Sequence, residues 1–248
     1  MRIDQLARKS YTYKVLNRAV GKALHQYGMI SDGDRIAVGV SGGMDSLTLF
    51  SVLQERKLRV PVGYELAPIY IDPGFKGGFG KDLQRYFQEL GLTLRVEYTD
   101  YGVLGHSQVN RENPCFLCAR LRRKRLFEIA EELGCKKLAL GHNKDDIIET
   151  LFLNIFYSGE ISTMVPDQSF FKGKFRVIRP LAYVDKQTIE RYAGEKKLPR
   201  FDNPCPTAKV SKRQEVKTIL NDLYAGNKKI KGNIFRAMRH VNPEYLLK

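Results

Sequence analysis

Three groups of residues have the types and spacing to do chemistry. The first is Ser41-Gly42-Gly43-Met44-Asp45-Ser46. Its two glycines let the backbone turn tightly and approach an anion with no Cβ in the way. Amides at the start of a following helix offer positive potential to phosphate, and Ser41 and Ser46 add hydroxyl donors. Asp45 is wrong for direct phosphate contact but suits a metal ion riding on phosphates. The bland alternative is a β–α turn with Asp45 or Ser46 as N-cap. The string is neither Gly-x-Gly-x-x-Gly nor Walker A: Gly80-Lys81 is followed by Asp82, and Phe75 stands where the first glycine belongs.

The second group is Leu140-Gly141-His142-Asn143-Lys144-Asp145-Asp146. Two adjacent carboxylates at a helix start can cap amides; they can also hold Mg2+ or orient a reacting group. A single His, such as His142, is open to several roles. The third group is Cys115-Phe116-Leu117-Cys118 with Cys205, which lies in the stiff segment Asn203-Pro204-Cys205-Pro206. Cys115 and Cys118 open a helix about one turn apart, and the helix N-terminus and the arginines that follow favour thiolates. A redox pair, a zinc site completed by Cys135 or a His, and an iron–sulfur centre all fit this spacing. The thioredoxin-like context and a second Cys pair are both missing. Cys135 reads as packing.

These groups need elements to position them. Residues 34–40, 66–71, 92–98, 137–140 and 175–178 read as strands, and 45–55, 81–90, 115–133 and 145–157 as helices. A basic amphipathic helix over 10–27, with Val15, Ala19 and Leu24 among its apolar positions, precedes them. Alternating strands and helices imply right-handed crossovers and an α/β fold on a mostly parallel, doubly wound sheet. Ligands bind beyond the carboxyl ends of such strands, where the first two groups fall. The expected organisation is an N-terminal basic helix (1–30), a catalytic α/β domain (31–205) and a basic helical tail (206–248). No internal repeat or low-complexity linker interrupts it.

Composition narrows the partners. The 248 residues carry 42 Lys and Arg against 27 Asp and Glu, a net charge of +15, which favours a polyanionic partner, nucleic acid first. Basic residues gather at both ends and in the run Arg120, Arg122, Arg123, Lys124, Arg125. With 43% hydrophobic residues there is material for a full core, which excludes wholesale disorder. No apolar run approaches the roughly 18 residues of a membrane span, and the first ten residues lack the apolar stretch of a secretory signal. Four cysteines are too sparse for a disulfide scaffold, so a cytoplasmic protein without a membrane partner is expected.

The string Ser41–Ser46, in a strand–loop–helix context, resembles the pyrophosphate loop of the PP-loop (N-type) ATP pyrophosphatases, which adenylate a carbonyl oxygen. The motif at Gly141–Asp146 resembles the one that partners this loop in thiolating members. Residues 114–123 (PCFLCARLRR), 139–159 (ALGHNKDDIIETLFLNIFYSG) and 178–183 (IRPLAY) resemble the tRNA 2-thiocytidine synthetase family. The likeness runs from about Arg35 to Cys205. It implies a Rossmann-like sheet of the adenine nucleotide alpha hydrolase-like type, ATP and Mg2+ as cofactors, and a [4Fe-4S] cluster on Cys115, Cys118 and Cys205. It implies 2-thiolation of a tRNA cytidine, at position 32. ATP would lie on Gly39, Ser41, Gly42, Gly43, Asp45, Ser46, Asp72 and Gly141. Mg2+ would lie on Asp45 and Asp146, with Asp145 and Arg122 catalytic.

The resemblance further implies a sulfur donor (a cysteine desulfurase or sulfide), and it accommodates a homodimer. The basic helix, the arginine run and the tail would then grip RNA. The chain departs from the family pattern after Ile71, where it reads Asp72-Pro73-Gly74-Phe75-Lys76-Gly77-Gly78-Phe79, in the loop over 162–174, and in its C-terminal helices. The rival readings are a uridine thiolase of the same superfamily, an amide- or lysidine-forming ligase with no use for the three cysteines, and a non-catalytic zinc-bound RNA-binding module.

Overall fold

The computed structural model describes residues 10–207 and 211–247. Residues 1–9 of the expected basic helix region, and residues 208–210 and 248 of the expected tail, lie outside the described residues. Strands β1 (Asp34–Gly39), β2 (Tyr64–Asp72), β3 (Arg95–Tyr98), β4 (Lys137–Ala139), β5 (Asp167–Phe170) and β6 (Phe175–Ile178) form one sheet in the order β3-β2-β1-β4-β6-β5. All pairs are parallel except the β5–β6 hairpin. The order reverses between β1 and β4, so a crevice is expected beyond the carboxyl ends of these two strands. The helices are α1 (Tyr11–Gln26), α2 (Met44–Lys57), α3 (Gly80–Glu89), α4 (Tyr101–Gly105), α5 (Pro114–Glu132), α6 (Lys144–Ser158), α7 (Lys186–Glu195), α8 (Lys212–Gly226) and α9 (Ile230–Ala237).

Strand alternation explains the double winding. In β1, Ile36 and Val38 pack with Leu16, Val20, Leu49, Leu53 and Phe87 on one face, while Ala37 joins Ile129, Ala130 and Leu138 on the other. Ile69 and Ile71 of β2 take the second face and Tyr70 the first. Each fully buried Leu, Ile or Phe contributes roughly 1.5–3 kcal/mol, which fixes the register on both faces.

The face of α1 that enters the core is Tyr13, Leu16, Val20 and Ala23. The positions expected from the sequence, Val15, Ala19 and Leu24, flank it and are half-buried. Three elements have no clear signal in the sequence: α4, α7 and the antiparallel strand β5.

The chain forms two compact units, one of residues 1–143 and 165–208 and another of residues 144–164 and 209–248. The second unit gathers α6, α8 and α9 around Ile148, Val216 and Leu220, with Phe152, Tyr224, Ile234 and Phe235 against them. From the sequence alone, α6 is expected in the sheet domain; the structure groups it with the tail.

Candidate active site

The loop after β1 is held by its own serines. Ser46 Oγ accepts from the Ser41 amide (3.0 Å) and donates to the Gly43 carbonyl (2.9 Å), and Ser41 Oγ donates to it at 3.2 Å. Gly42 has φ +77°, and a Cβ there would lie 2.4 Å from the Phe79 ring. Gly43 begins α2 without a side-chain cap. The first amides of a 14-residue helix therefore face the loop with no side-chain acceptor, as an anion site requires. Asp45, in that first turn, accepts from Lys186 Nζ at 2.6 Å and from Asn143 Nδ2 at 3.2 Å.

The expected ATP residues take different positions around this loop. Gly141 packs on its backbone, since a Cβ would lie 3.0 Å from Ser46 N. Gly39 ends β1 against the Leu140 side chain. Asp72 is buried, and its Oδ1 accepts from the Gly74 amide. It thereby organises the loop that carries Phe79. His142 Nδ1 accepts from Arg179 Nε at 3.3 Å. Burial depresses the Arg179 guanidinium to about 10, with the positive charge of Arg123 adding to the effect.

The cysteines are presented by a capped helix and a proline-stiffened loop. Asn113 Oδ1 accepts from the amides of Cys115 and Phe116, and Pro114 occupies the first helical position. Asn203 Oδ1 accepts from the Cys205 amide at 3.0 Å. One hydroxyl joins the two segments: Thr207 Oγ1 lies 3.4 Å from Cys115 Sγ, 3.4 Å from Cys205 Sγ and 3.0 Å from His106 Nε2. Cys115 is exposed, Cys118 and Cys205 half-buried, and Cys135 is buried away from them in the second face of the core.

At Cys118 burial pushes the thiol up, and the Arg122 cation opposes this in part. Among the described residues, no three Cys, His, Asp or Glu side chains converge on a point that would hold one metal ion. The thiolates of an iron–sulfur cluster bind separate irons and need not converge on one point.

A cavity of about 180 Å³ opens beside the loop after β1; the cysteines do not line it, but Arg122, four residues after Cys118, and Asn203 and Pro204, just before Cys205, do. Ser41 and Gly43 line one side, Arg122 and Asn203 another, and Phe79 and Phe201 contribute aromatic rings. Tyr70, Phe79 and Phe201 stack in a column, with centroids 5.3 and 5.1 Å apart. Arg122, whose positive charge acts on the Cys118 thiol, keeps its Nε buried and without a partner.

The second unit holds the acid pair. Asp145 and Asp146 lie in the first turn of α6. Lys231 Nζ is 2.6 Å from Asp145, and Arg213 is 3.5 Å from Asp146 and 3.6 Å from Glu149. Burial pushes the Glu149 carboxyl up, and Asp146 adds to the shift. Two cations of the tail are therefore engaged with acids rather than offered to RNA. The arginine run is also divided: Arg125 is held by Glu97, Glu128 and Glu132, and Arg120 by Glu112. Lys186, Arg213, Lys231, Thr207 and Phe79 do not stand out in the sequence, because single Lys, Arg, Thr and Phe residues carry no local signature.

Comparison with known proteins identifies the family. The PP-loop domain family matches residues 8–222. A tRNA-cytidine(32) 2-sulfurtransferase of Geobacter sulfurreducens is 40% identical over 95% of this chain and 93% of its own, and one of Pelobacter propionicus is 38% identical over 98% and 92%. Among solved structures, the U34-tRNA thiolase NcsA from Methanococcus maripaludis with its [4Fe-4S] cluster superposes with a TM-score of 0.77 at 26% identity, covering 95% of this chain and 80% of that one. An NH3-dependent NAD synthetase from Campylobacter jejuni shares the fold, with a TM-score of 0.50 at 14% identity over 95% of each chain. The chain therefore belongs to the PP-loop family and, within it, to the tRNA-cytidine(32) 2-sulfurtransferases.

Proposed function

We propose that this protein uses ATP to replace the C2 oxygen of a tRNA cytidine, at position 32, by sulfur. The observation that carries this reading is the cavity that the pyrophosphate loop lines together with Arg122, the cation that acts on the Cys118 thiol. One bound base could there meet both a nucleotide and a sulfur source. Oxide is a poor leaving group, so the O2 atom first attacks the α-phosphorus of ATP. A C–O–P bond forms, the bond to the β-phosphate breaks, and pyrophosphate leaves. A sulfur nucleophile at the oxidation level of sulfide then adds at C2, and AMP departs with the oxygen.

The α2 amides and Ser41–Ser46 bind the leaving pyrophosphate. Asp45 would hold Mg2+ on the phosphates, and Asp146 is a second carboxylate of the kind that binds such an ion. Asp145 orients the reacting group, and Arg122 stabilises negative charge in the cavity. Cys115, Cys118 and Cys205 would hold a [4Fe-4S] cluster, which would supply iron to carry sulfide. A tRNA loop base, already unstacked, reaches such a pocket at lower cost than one in a helix.

The test is anaerobic purification, followed by incubation with tRNA, ATP, Mg2+ and sulfide and mass analysis of the nucleosides. About four iron and four sulfide per chain, with ATP-dependent 2-thiocytidine, is the expected result. A thiouridine product would move the activity to the uridine thiolases. One zinc with no iron would remove the cluster from the mechanism.

A further inference from the structure

The cavity has a polar end whose hydrogen-bonding character is set by two side chains. Arg122 Nε is a donor, buried and without a partner. A buried donor left unpaired is costly, so a ligand that supplies an acceptor there is favoured. Asn203 also lines the cavity, and its Oδ1 is committed to the Cys205 amide. Its remaining polar atom, Nδ2, is therefore a donor as well. The apolar wall is the stacked column of Tyr70, Phe79 and Phe201, which suits the flat face of a base. The volume of about 180 Å³ is small for a whole nucleotide and suits a single ring system.

We infer that Arg122 and Asn203 select cytosine over uracil by donating to N3 and O2 of the target base in the slot beside Phe79 and Phe201. Cytosine presents two adjacent acceptors on this edge, N3 and O2. Uracil presents a donor at N3, which would face a donor from the protein. The discrimination thus comes from a mismatch built against uracil as much as from contacts made to cytosine. Arg122 can serve both recognition and charge stabilisation, because a donor on O2 also meets the atom that attacks ATP. The inference rests on the proposed cytidine thiolation.

The test uses two tRNA transcripts that differ only in C32 or U32, and measures AMP formation and thiolated nucleoside. Wild-type protein should favour C32. Asn203→Asp keeps the acceptor for the Cys205 amide but turns the second polar atom into an acceptor, which matches the uracil N3–H. Its C32/U32 ratio should fall at least about tenfold, in line with one good base-edge contact. Arg122→Lys keeps the positive charge near Cys118 but lacks Nε, and should lower the ratio similarly.

The ratio is the readout because a role in folding or in cluster retention would scale both substrates together; iron content and visible absorption are followed in each variant. If wild type prefers C32 and either variant collapses the ratio, the assignment stands. If wild type prefers C32 and both variants keep the ratio, base reading by these residues is overturned. If Asn203→Asp fails to fold, Arg122→Lys decides alone. Wild-type protein that thiolates neither tRNA, or only U32, overturns the proposed function and this inference with it.

Discussion

Replacing Gly42 by Ala tests whether the aromatic column is built against the pyrophosphate loop. The added Cβ would lie 2.4 Å from Cε2 and 2.7 Å from Cζ of Phe79. At φ +77° an L-residue also carries the cost of the left-handed region, roughly 1–2 kcal/mol. Forcing the Phe79 ring aside adds about 1–3 kcal/mol. The single change should therefore destabilise the folded chain by about 2–5 kcal/mol, by adding the two contributions. In a Phe79→Ala background the steric part disappears, and the same change should cost only about 1–2 kcal/mol. The chain has no Trp, so urea unfolding is followed by far-UV circular dichroism and tyrosine fluorescence, and the four proteins form a double-mutant cycle. A Gly42→Ala cost that is the same in both backgrounds would refute the contact between Phe79 and the loop. A cost near zero in wild-type background would refute the left-handed turn as well.

Ser at Cys115, Cys118 or Cys205 should each abolish most of the iron and acid-labile sulfide of anaerobically purified protein, while Ser at the buried Cys135 should leave both intact, by elemental analysis. Tyr64 donates to the Leu53 carbonyl from a buried position, and burial raises its phenol to about 12. A folded-state value above the unfolded one of 10 means that stability is intact below pH 10 and declines as pH rises through 12. The loss is about 2–3 kcal/mol by linkage, and pH-dependent urea unfolding of Tyr64→Phe should show a flatter alkaline limb. Neutralising Lys228 and Lys229, both exposed, should reduce the slope of log tRNA affinity against log salt by about 0.7–0.9 for each RNA phosphate these lysines neutralise. Arg125→Gln should leave that slope unchanged, because three glutamates already hold the guanidinium. A slope that responds to Arg125 and ignores both lysines would reverse this assignment.

Local chemistry makes the main architecture readable in the sequence. The apolar runs that form β1, β2 and β4 are bounded by turn residues, and each is followed by helical spacing. Pro68 argues against a central strand, yet it lies within β2, and the ladder explains why. Ile69 O accepts from Val40 N, so Ile69 faces β1 and Pro68 faces the other side. On that side the β3 ladder begins only at Ile69, paired with Arg95. The proline therefore sits where no neighbour asks for an N–H. Strand β5 is illegible for a different reason. Its Asp167-Gln168-Ser169-Phe170 has no alternation, and it exists because β6 offers it a ladder.

The site is legible where function needs a contiguous run, and illegible where it needs side chains that only the fold brings together. Ser41–Ser46 and Cys115–Cys118 announce themselves by spacing. The arginine run does not, because 3.6 residues per turn distribute neighbours around a helix. As a block, Arg120–Arg125 looks like one basic patch for RNA. On α5 it divides into Arg122, turned into the cavity beside Cys118, Arg125, bound by Glu97, Glu128 and Glu132, and Arg120, paired with Glu112 over the Phe116 ring. The same spacing puts Cys118 and Arg122 four apart on one helix face, so the cation that lines the cavity also acts on a thiol outside it. A charge run read without its helix thus overstates the RNA surface, and it is the family resemblance, not the run, that singles out Arg122.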